Sequence, residues 1–274
     1  MTEFFIGPAG WSYEDWKGKV YPDPAPPGFD PLQHLASLFR CIEVNSTFYR
    51  PPAPRMSEGW ARRTPEGFLF TVKAWEKFSH DPEGCGTADA RTFQEGIAPL
   101  LQAGKLGAIL VQFPWFFKDT PEGRDRIRRV ADALGGWAPL VIEIRHRSWL
   151  DALDFLRESR LSFCNIDQPN SSTAITGTSL VTGPVAYVRL HGRNARAWFD
   201  KDAGRDQKYD YLYSPQELQG WIEAVRTMKA DRLFVITNNH FQGKAVVNAL
   251  QLQKALGRTA SVPEPLKSAY GDVF

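Results

Sequence analysis

The chain has 274 residues, 43% hydrophobic and 23% charged, which is enough apolar material for a large core and argues against disorder. Its net charge of +2 is far from the basic excess of a dedicated nucleic-acid-binding domain. The 3 cysteines, Cys41, Cys85 and Cys164, form no C-x-x-C pair and no even framework, which disfavours zinc fingers and disulfide scaffolds. No apolar stretch approaches the ~20 residues of a membrane helix. Met1-Thr2-Glu3 runs directly into Phe4-Phe5-Ile6 without a leader pattern, so a cytoplasmic protein with no membrane contact is expected.

Short β-like runs recur along the chain: Phe4–Ala9, Cys41–Phe48, Phe68–Trp75, Leu106–Phe113, Pro139–His146, Ser162–Gln168, Ala186–Gly192 and Arg232–Asn239. Gly107-Ala108-Ile109-Leu110-Val111 and Leu140-Val141-Ile142 are nearly continuous apolar stretches, as expected for strands buried on both faces of a parallel sheet. Helical patterns separate most of the runs. Asp30-Pro31 opens the first, before a stripe of Leu32, Leu35, Ala36 and Phe39. Phe93, Ile97, Leu100 and Leu101 mark another, and Thr120-Pro121 opens the helix before the fifth strand. Ser214-Pro215-Gln216-Glu217 combines an N-cap serine, proline at the first helical position and a reciprocal glutamate. Between the sixth and seventh strands, Asn170–Pro184 is rich in Ser, Thr and Gly and carries no helical stripe. These features predict an α/β fold, a TIM-like (β/α)8 barrel lacking a regular helix between strands six and seven. No G-x-G-x-x-G or Walker-type loop supports an open nucleotide-binding sheet. No linker or repeat divides residues 1–274, so one barrel domain is expected.

Polar residues fall late in the apolar runs. Strand two carries Glu43 and Asn45, strand three Lys73, and strand four Gln112. Strand five carries Glu143 and Arg145 with His146 beside them, and strand six Asp167. Strand seven has Arg189 and His191, and strand eight Asn238 and Asn239. Alternation places Glu43 with Asn45, Glu143 with Arg145, and Arg189 with His191 on common faces. In a parallel barrel all the C-terminal strand ends meet at one rim, where barrel enzymes build their sites. Tyr49, His80 and Trp149, in loops after strands two, three and five, are placed beside that rim.

Glu43, Glu143 or Asp167 would serve there as general acid or base, with His191 or Lys73 polarising a substrate and the arginines fixing its charge. Lys73, Arg145 and Arg189 favour an anionic ligand: a phosphate, a carboxylate or a nucleic-acid backbone. The competing structural reading makes Glu143–Arg145 and Asp167–Arg189 interior ion pairs. A divalent metal on Glu143, Asp167 and His191 is the less favoured reading, because the arginines would repel it and no ligand spacing is present. No cofactor is assigned. Trp11, Tyr13, Trp16, Phe48, Tyr49, Trp115, Trp198 and Tyr209 in the rim loops form either a stacking platform or a mini-core closing the barrel top.

The sequence is identified as resembling the YecE-like family. Gly10-Trp11-Ser12-Tyr13 with Trp16 and Tyr21-Pro22 carries the resemblance, as does Glu43-Val44-Asn45-Ser46-Thr47-Phe48-Tyr49. It continues through Phe70-Thr71-Val72-Lys73 with His80, Val111-Gln112-Phe113-Pro114, and Glu143-Ile144-Arg145-His146 with Trp149. Asp167, Tyr187-Val188-Arg189-Leu190-His191-Gly192, Tyr209-Asp210-Tyr211 with Tyr213, and Asn238-Asn239 with Asn248 complete it. The resemblance implies a TIM-like barrel and no particular activity. Three functions stay open: an enzyme (hydrolase, lyase or isomerase) acting on a small anionic molecule such as a sugar phosphate or nucleotide derivative, a nucleic-acid-processing or nucleic-acid-binding protein, and a non-catalytic ligand- or partner-binding barrel.

Overall fold

A computed structural model describes residues 2–81, 85–258 and 261–274; the reading of the chain's start at Met1 lies outside them. Its parallel strands are β1 (Glu3–Pro8), β2 (Cys41–Val44), β3 (Leu69–Lys73), β4 (Leu106–Gln112), β5 (Leu140–Glu143), β6 (Ser162–Asp167), β7 (Ala186–Leu190) and β8 (Arg232–Thr237). They form one 8-stranded sheet in the order β1-β8-β7-β6-β5-β4-β3-β2. The sheet curls until β1 meets β2 through a parallel bridge between Ala9 and Glu43, where Gly10 N–H donates to the Glu43 carbonyl at 2.8 Å. Gly7 makes this seam possible, because a Cβ there would lie 1.9 Å from the Cys41 carbonyl oxygen. The chain is therefore the (β/α)8 barrel predicted above.

The outer layer comprises α1 (Pro31–Leu38), α2 (Pro54–Arg62), α3 (Thr87–Gln102), α4 (Pro121–Leu134) and α5 (Leu153–Glu158). Three pieces follow β7, namely α6 (Ala195–Phe199), α7 (Arg205–Lys208) and α8 (Pro215–Thr227). After β8 come α9 (Lys244–Ala255) and α10 (Glu264–Tyr270). The caps form as the sequence predicts. Asp30 accepts from the N–H groups of Leu32 and Gln33 at 2.8 and 3.0 Å, and Ser214 and Glu217 cap one another reciprocally.

From β6 to β7 the chain crosses without a helix. Asn165 holds this crossover, donating to the Leu180 carbonyl at 2.8 Å and accepting from Leu180 N–H at 2.7 Å. Among the described residues no helix is long and apolar enough to cross a membrane.

Two apolar layers support the site. One lies between strands and helices, where Leu35, Phe93, Ile127 and Trp221 are buried. The second fills the lower barrel with Phe5, Leu69, Leu110, Val141, Cys164 and Phe234, and the Phe5 and Phe234 rings stack at 5.2 Å. Each fully buried ring of this kind contributes about 1.5–3 kcal/mol. Above this plug the interior positions turn polar.

Candidate functional site at the barrel mouth

Interior alternation delivers Glu43 from β2, Glu143 from β5 and Arg189 from β7 to one level of the barrel, all essentially without solvent exposure. Arg189 bridges the two carboxylates. Its Nη2 meets Glu43 Oε1 at 2.6 Å, and its Nη1 pairs with Glu143 Oε2. Arg145 holds the other Glu143 oxygen through Nε and Nη2 at 2.9 and 2.6 Å. Tyr187 donates to Glu43 Oε2 at 2.9 Å and lies 2.8 Å from the Thr71 hydroxyl, which completes its second bond. Two carboxylates face two guanidinium groups, so the network is charge-balanced, the condition under which buried ions persist.

Burial alone would raise the Glu143 carboxyl, but Arg189 and Arg145 overcome it and hold the group well below the usual carboxylate range. Burial opposes the Arg189 charge, yet Glu143 and Glu43 hold its proton more firmly than usual. His191 lies beside this network, fully buried. Asn238 donates through Nδ2 to its Nδ1 at 2.9 Å, which places the ring proton on Nε2, 3.5 Å from Glu143 Oε1. Burial pushes this imidazole down to about 3 against the pull of Glu143, so it is neutral at physiological pH.

Over the network opens a cavity of about 450 Å³, within the size range of small-molecule sites. Asn45, Lys73, Gln112, Arg189 and Asn238 line its polar part. Trp11, Tyr13, Phe48, Tyr49, Trp60 and Tyr209 supply aromatic walls, and Arg205 and His240 complete the mouth. The charged side chains on this lining are Lys73, Arg189 and Arg205, with no aspartate or glutamate among the described lining residues.

Lys73 is half-buried, with Nζ 3.8 Å over the centre of the Phe48 ring. Among the described residues no carboxylate lies within ion-pairing distance of this ammonium, whereas Lys77 pairs with Asp89 at 3.0 Å. Burial first, and then the Arg189 charge, push Lys73 down to about 7. His240 stacks on Tyr13 at 4.6 Å, and burial followed by Arg205 lowers it to about 4.

The expected rim set divides in two. Asn45, Tyr49, Lys73, Gln112, Arg189 and Asn238 line the cavity, with Glu43, Glu143, Arg145 and His191 in the network beside it. Others point elsewhere. Asp167 does not join the rim, because Cys164 and Ile166 take the interior positions of β6 and leave it facing outward. There Arg193 holds it bidentately at 2.8 and 2.7 Å and the Trp221 indole donates to it, so the expected Asp167–Arg189 pair is replaced by Asp167–Arg193. Asn239 faces away from Asn238, bonding to the Tyr211 carbonyl and Asn248 at 2.8 Å each. Trp149 is a core residue, fully buried against Phe117 and donating to its carbonyl at 2.9 Å. His146 turns back on Ser148 at 2.9 Å, capping the short turn that follows β5. His80 stands exposed at the cavity's margin, its ring 5.1 Å from Phe48.

The Glu143–Asp167–His191 set weighed as a metal site does not assemble, since Asp167 lies outside the barrel. Among the described residues no cluster of three or more His, Cys, Asp or Glu side chains could hold a metal ion. Sequence reasoning missed Met56, Trp60 and Arg205 on the lining, and Tyr187 with Thr71 beneath it. Tyr187 carried a readable signal, being two positions before Arg189 on the same strand face.

The curled eight-stranded sheet and a polar mouth at its C-terminal ends define a TIM-like barrel protein. The chain belongs to the family described as Protein of unknown function DUF72, which matches residues 5–269. It is similar to UPF0759 protein YunF of Bacillus subtilis, 29% identical over 270 residues, covering 92% of this chain and 94% of that protein. UPF0759 protein YecE of Escherichia coli is 28% identical over 143 residues, 52% of this chain and 48% of that protein. The crystal structure of a DUF72 family protein from Thermotoga maritima superposes with a TM-score of 0.81 at 33% identity, covering 92% of this chain and 98% of that one. One from Enterococcus faecalis does so at 0.83 and 29% identity, covering 94% and 97%. The expected YecE-like membership and barrel fold are thus both met.

Proposed function

We propose that this protein is an enzyme acting on a small anionic molecule at the barrel mouth, with Lys73 as the titrating group that faces the substrate and Arg205 as a second cation at the mouth. The observation that carries this reading is the sign of the cavity surface. Its charged lining residues are all cations, and among the described residues no carboxylate pairs with Lys73. Glu43 and Glu143 lie beneath, already matched by Arg189 and Arg145. Arg205 pairs with Asp206 at 3.3 Å on the exposed side, so an anion entering the cavity would meet the uncompensated charge of Lys73 beside two paired guanidinium groups.

The roles expected for the carboxylates shift accordingly. Glu143 is a fixed anion at neutral pH and His191 a neutral imidazole, so neither is tuned to exchange protons there. Both act as positioning residues, with Glu43, for Arg189 and Asn238. The test is thermal denaturation of wild type and Lys73→Met against inorganic phosphate and a panel of sugar phosphates and carboxylates. Ligand at about a hundred times its Kd adds about 2.7 kcal/mol to wild type, and the variant should lose that gain. A panel that shifts neither protein, or shifts both equally, overturns the reading.

A second reading, binding of single-stranded nucleic acid, draws on the exposed rings of Tyr49 and Trp115, 64% and 68% accessible. Retention of single-stranded DNA or RNA that weakens steeply with added salt supports it, and absence of retention at low salt removes it.

A further inference from the structure

The lysine at the end of β3 differs from the other lysines around it. Lys17, Lys77, Lys244 and Lys267 each pair with a carboxylate, and Lys105 donates to the carbonyls of Ala61 and Thr64 at 2.7 and 2.6 Å. Lys73 instead directs its amine into an open cavity, over an aromatic face and near the Arg189 guanidinium. Its backbone is fixed, since Thr47 Oγ1 donates to the Lys73 carbonyl at 2.6 Å. A strand-borne, half-buried amine set beside a second cation, with no carboxylate partner among the described residues, fits a nucleophile better than a structural charge.

We infer that Lys73 condenses with the carbonyl carbon of a small aldehyde or ketone that also bears a phosphate or carboxylate group. The inference rests on the anion site proposed above and names its substrate class. The Nζ lone pair forms the C–N bond while the carbonyl π pair moves to oxygen. The carbinolamine oxygen then takes one proton from the new ammonium and one from solvent and leaves as water. A C=N bond forms in its place, left protonated as an iminium cation. No electron donor or acceptor beyond these atoms is needed.

Three further observations favour the step. Burial and Arg189 lower the amine to about 7, so much of it is neutral at physiological pH, as the attack requires. Glu143 and Glu43 lie close enough to favour positive charge at Nζ, which suits the iminium product. Lys73 and Arg205 line one cavity, so the amine can bond covalently while Arg205 exchanges its exposed 3.3 Å contact with Asp206 for the anion. The iminium would in turn acidify the adjacent carbon, the chemistry of isomerases and carbon–carbon lyases.

The experiment incubates the full chain with glycolaldehyde phosphate near neutral pH, adds sodium borohydride, and maps the reduced adduct by peptide mass spectrometry. Lys73 should carry it at least about tenfold more than Lys77, since an ordinary lysine is almost wholly protonated there. Inorganic phosphate should suppress the adduct. Lys73→Arg keeps the charge and should retain the thermal shift with phosphate while yielding no adduct at this position. A compound that raises the melting temperature without labelling Lys73, or that labels the surface lysines evenly, overturns imine formation and leaves the anion site standing. Absence of both label and thermal shift, with phosphate also failing, overturns the two together.

Discussion

Removing either side of the Arg189–Glu43 pair unbalances a sealed network, and removing both does not. Arg189 is 1% exposed and Glu43 0%, with 2.6 Å between Nη2 and Oε1. Glu43→Gln leaves Arg189 and Arg145 facing the single carboxylate of Glu143. Arg189→Met leaves Glu43 with only the Tyr187 hydroxyl, while Glu143 keeps Arg145. An unmatched buried charge of this kind costs about 3–5 kcal/mol, a large share of the ~5–15 kcal/mol that holds a typical domain together. The corresponding fall in melting temperature is roughly 6–20 °C. The double variant Glu43→Gln/Arg189→Met removes one charge of each sign and leaves Glu143–Arg145 intact. Its cost should fall short of the summed single costs by about 2 kcal/mol, at the upper end of couplings between contacting residues. Equilibrium urea unfolding of the four proteins measures this directly. Additive single effects, or singles as stable as wild type, would refute a charge-balanced network.

Gly7→Ala places a methyl group 1.9 Å from the Cys41 carbonyl oxygen and must push β1 off β2, so loss of more than about 3 kcal/mol is expected by the same unfolding assay. His191 is lowered to about 3, so as pH falls below about 6.5 the unfolded chain takes up this proton first. Its contribution to stability is intact above that point and declines by about 1.4 kcal/mol per pH unit down to the folded value. His191→Gln should flatten the profile of unfolding midpoint against pH, and an unchanged slope would count against the assignment. Asp167→Asn weakens the hold on Arg193 and Trp221 and should cost about 1.5–3 kcal/mol, with phosphate affinity at the mouth by calorimetry unchanged. The Lys73 Cε resonance should titrate with a midpoint near 7 in wild type, higher in Arg189→Met and lower in Glu43→Gln. Shifts of the same sign in both variants would contradict the arrangement of charges.

Much of the barrel was legible because parallel strands covered on both faces read as apolar runs, and because Asp30, Thr120 and Ser214 cap their helices as their side chains dictate. The absent sixth crossover helix was legible from missing periodicity in the segment that Asn165 now pins. The same two-sided burial hid which way individual strand residues face. In Ser162-Phe163-Cys164-Asn165-Ile166-Asp167 the more polar parity, Asn165 and Asp167 with Phe163, reads as a rim face, yet it is the one that faces the helices. Asn238 and Asn239 are adjacent, so alternation allowed only one to enter the cavity, but not which. His146 and Trp149 belong to the short turn after β5, whose local geometry redirects them. Arg205 and Trp60 reach the mouth from elements whose path across the barrel top no local pattern encodes.

A barrel interior is ordinarily filled by branched apolar side chains, and here that rule holds only up to the level of Phe5, Leu110 and Phe234. Replacing the next layer with Glu43, Glu143, Arg189 and Arg145 costs several kcal/mol of desolvation per ion and regains stability only through close pairing. Apolar residues of similar volume would serve stability as well, so stability alone gives no reason for the layer. Its effect on the cavity above does give one. The paired carboxylates hold Arg189 in place, and Arg189 adds to the burial that lowers the proton affinity of Lys73. The network's own charges cancel, so a ligand meets a polar floor with no net charge, with Lys73 above it and Arg205 at the mouth. A surface lysine cannot be adjusted this way, because water screens its neighbours. An apolar floor would supply desolvation without the fixed cation. Burial therefore does most to lower the Lys73 amine, Arg189 adds to it, and Glu143 and Glu43 act against both.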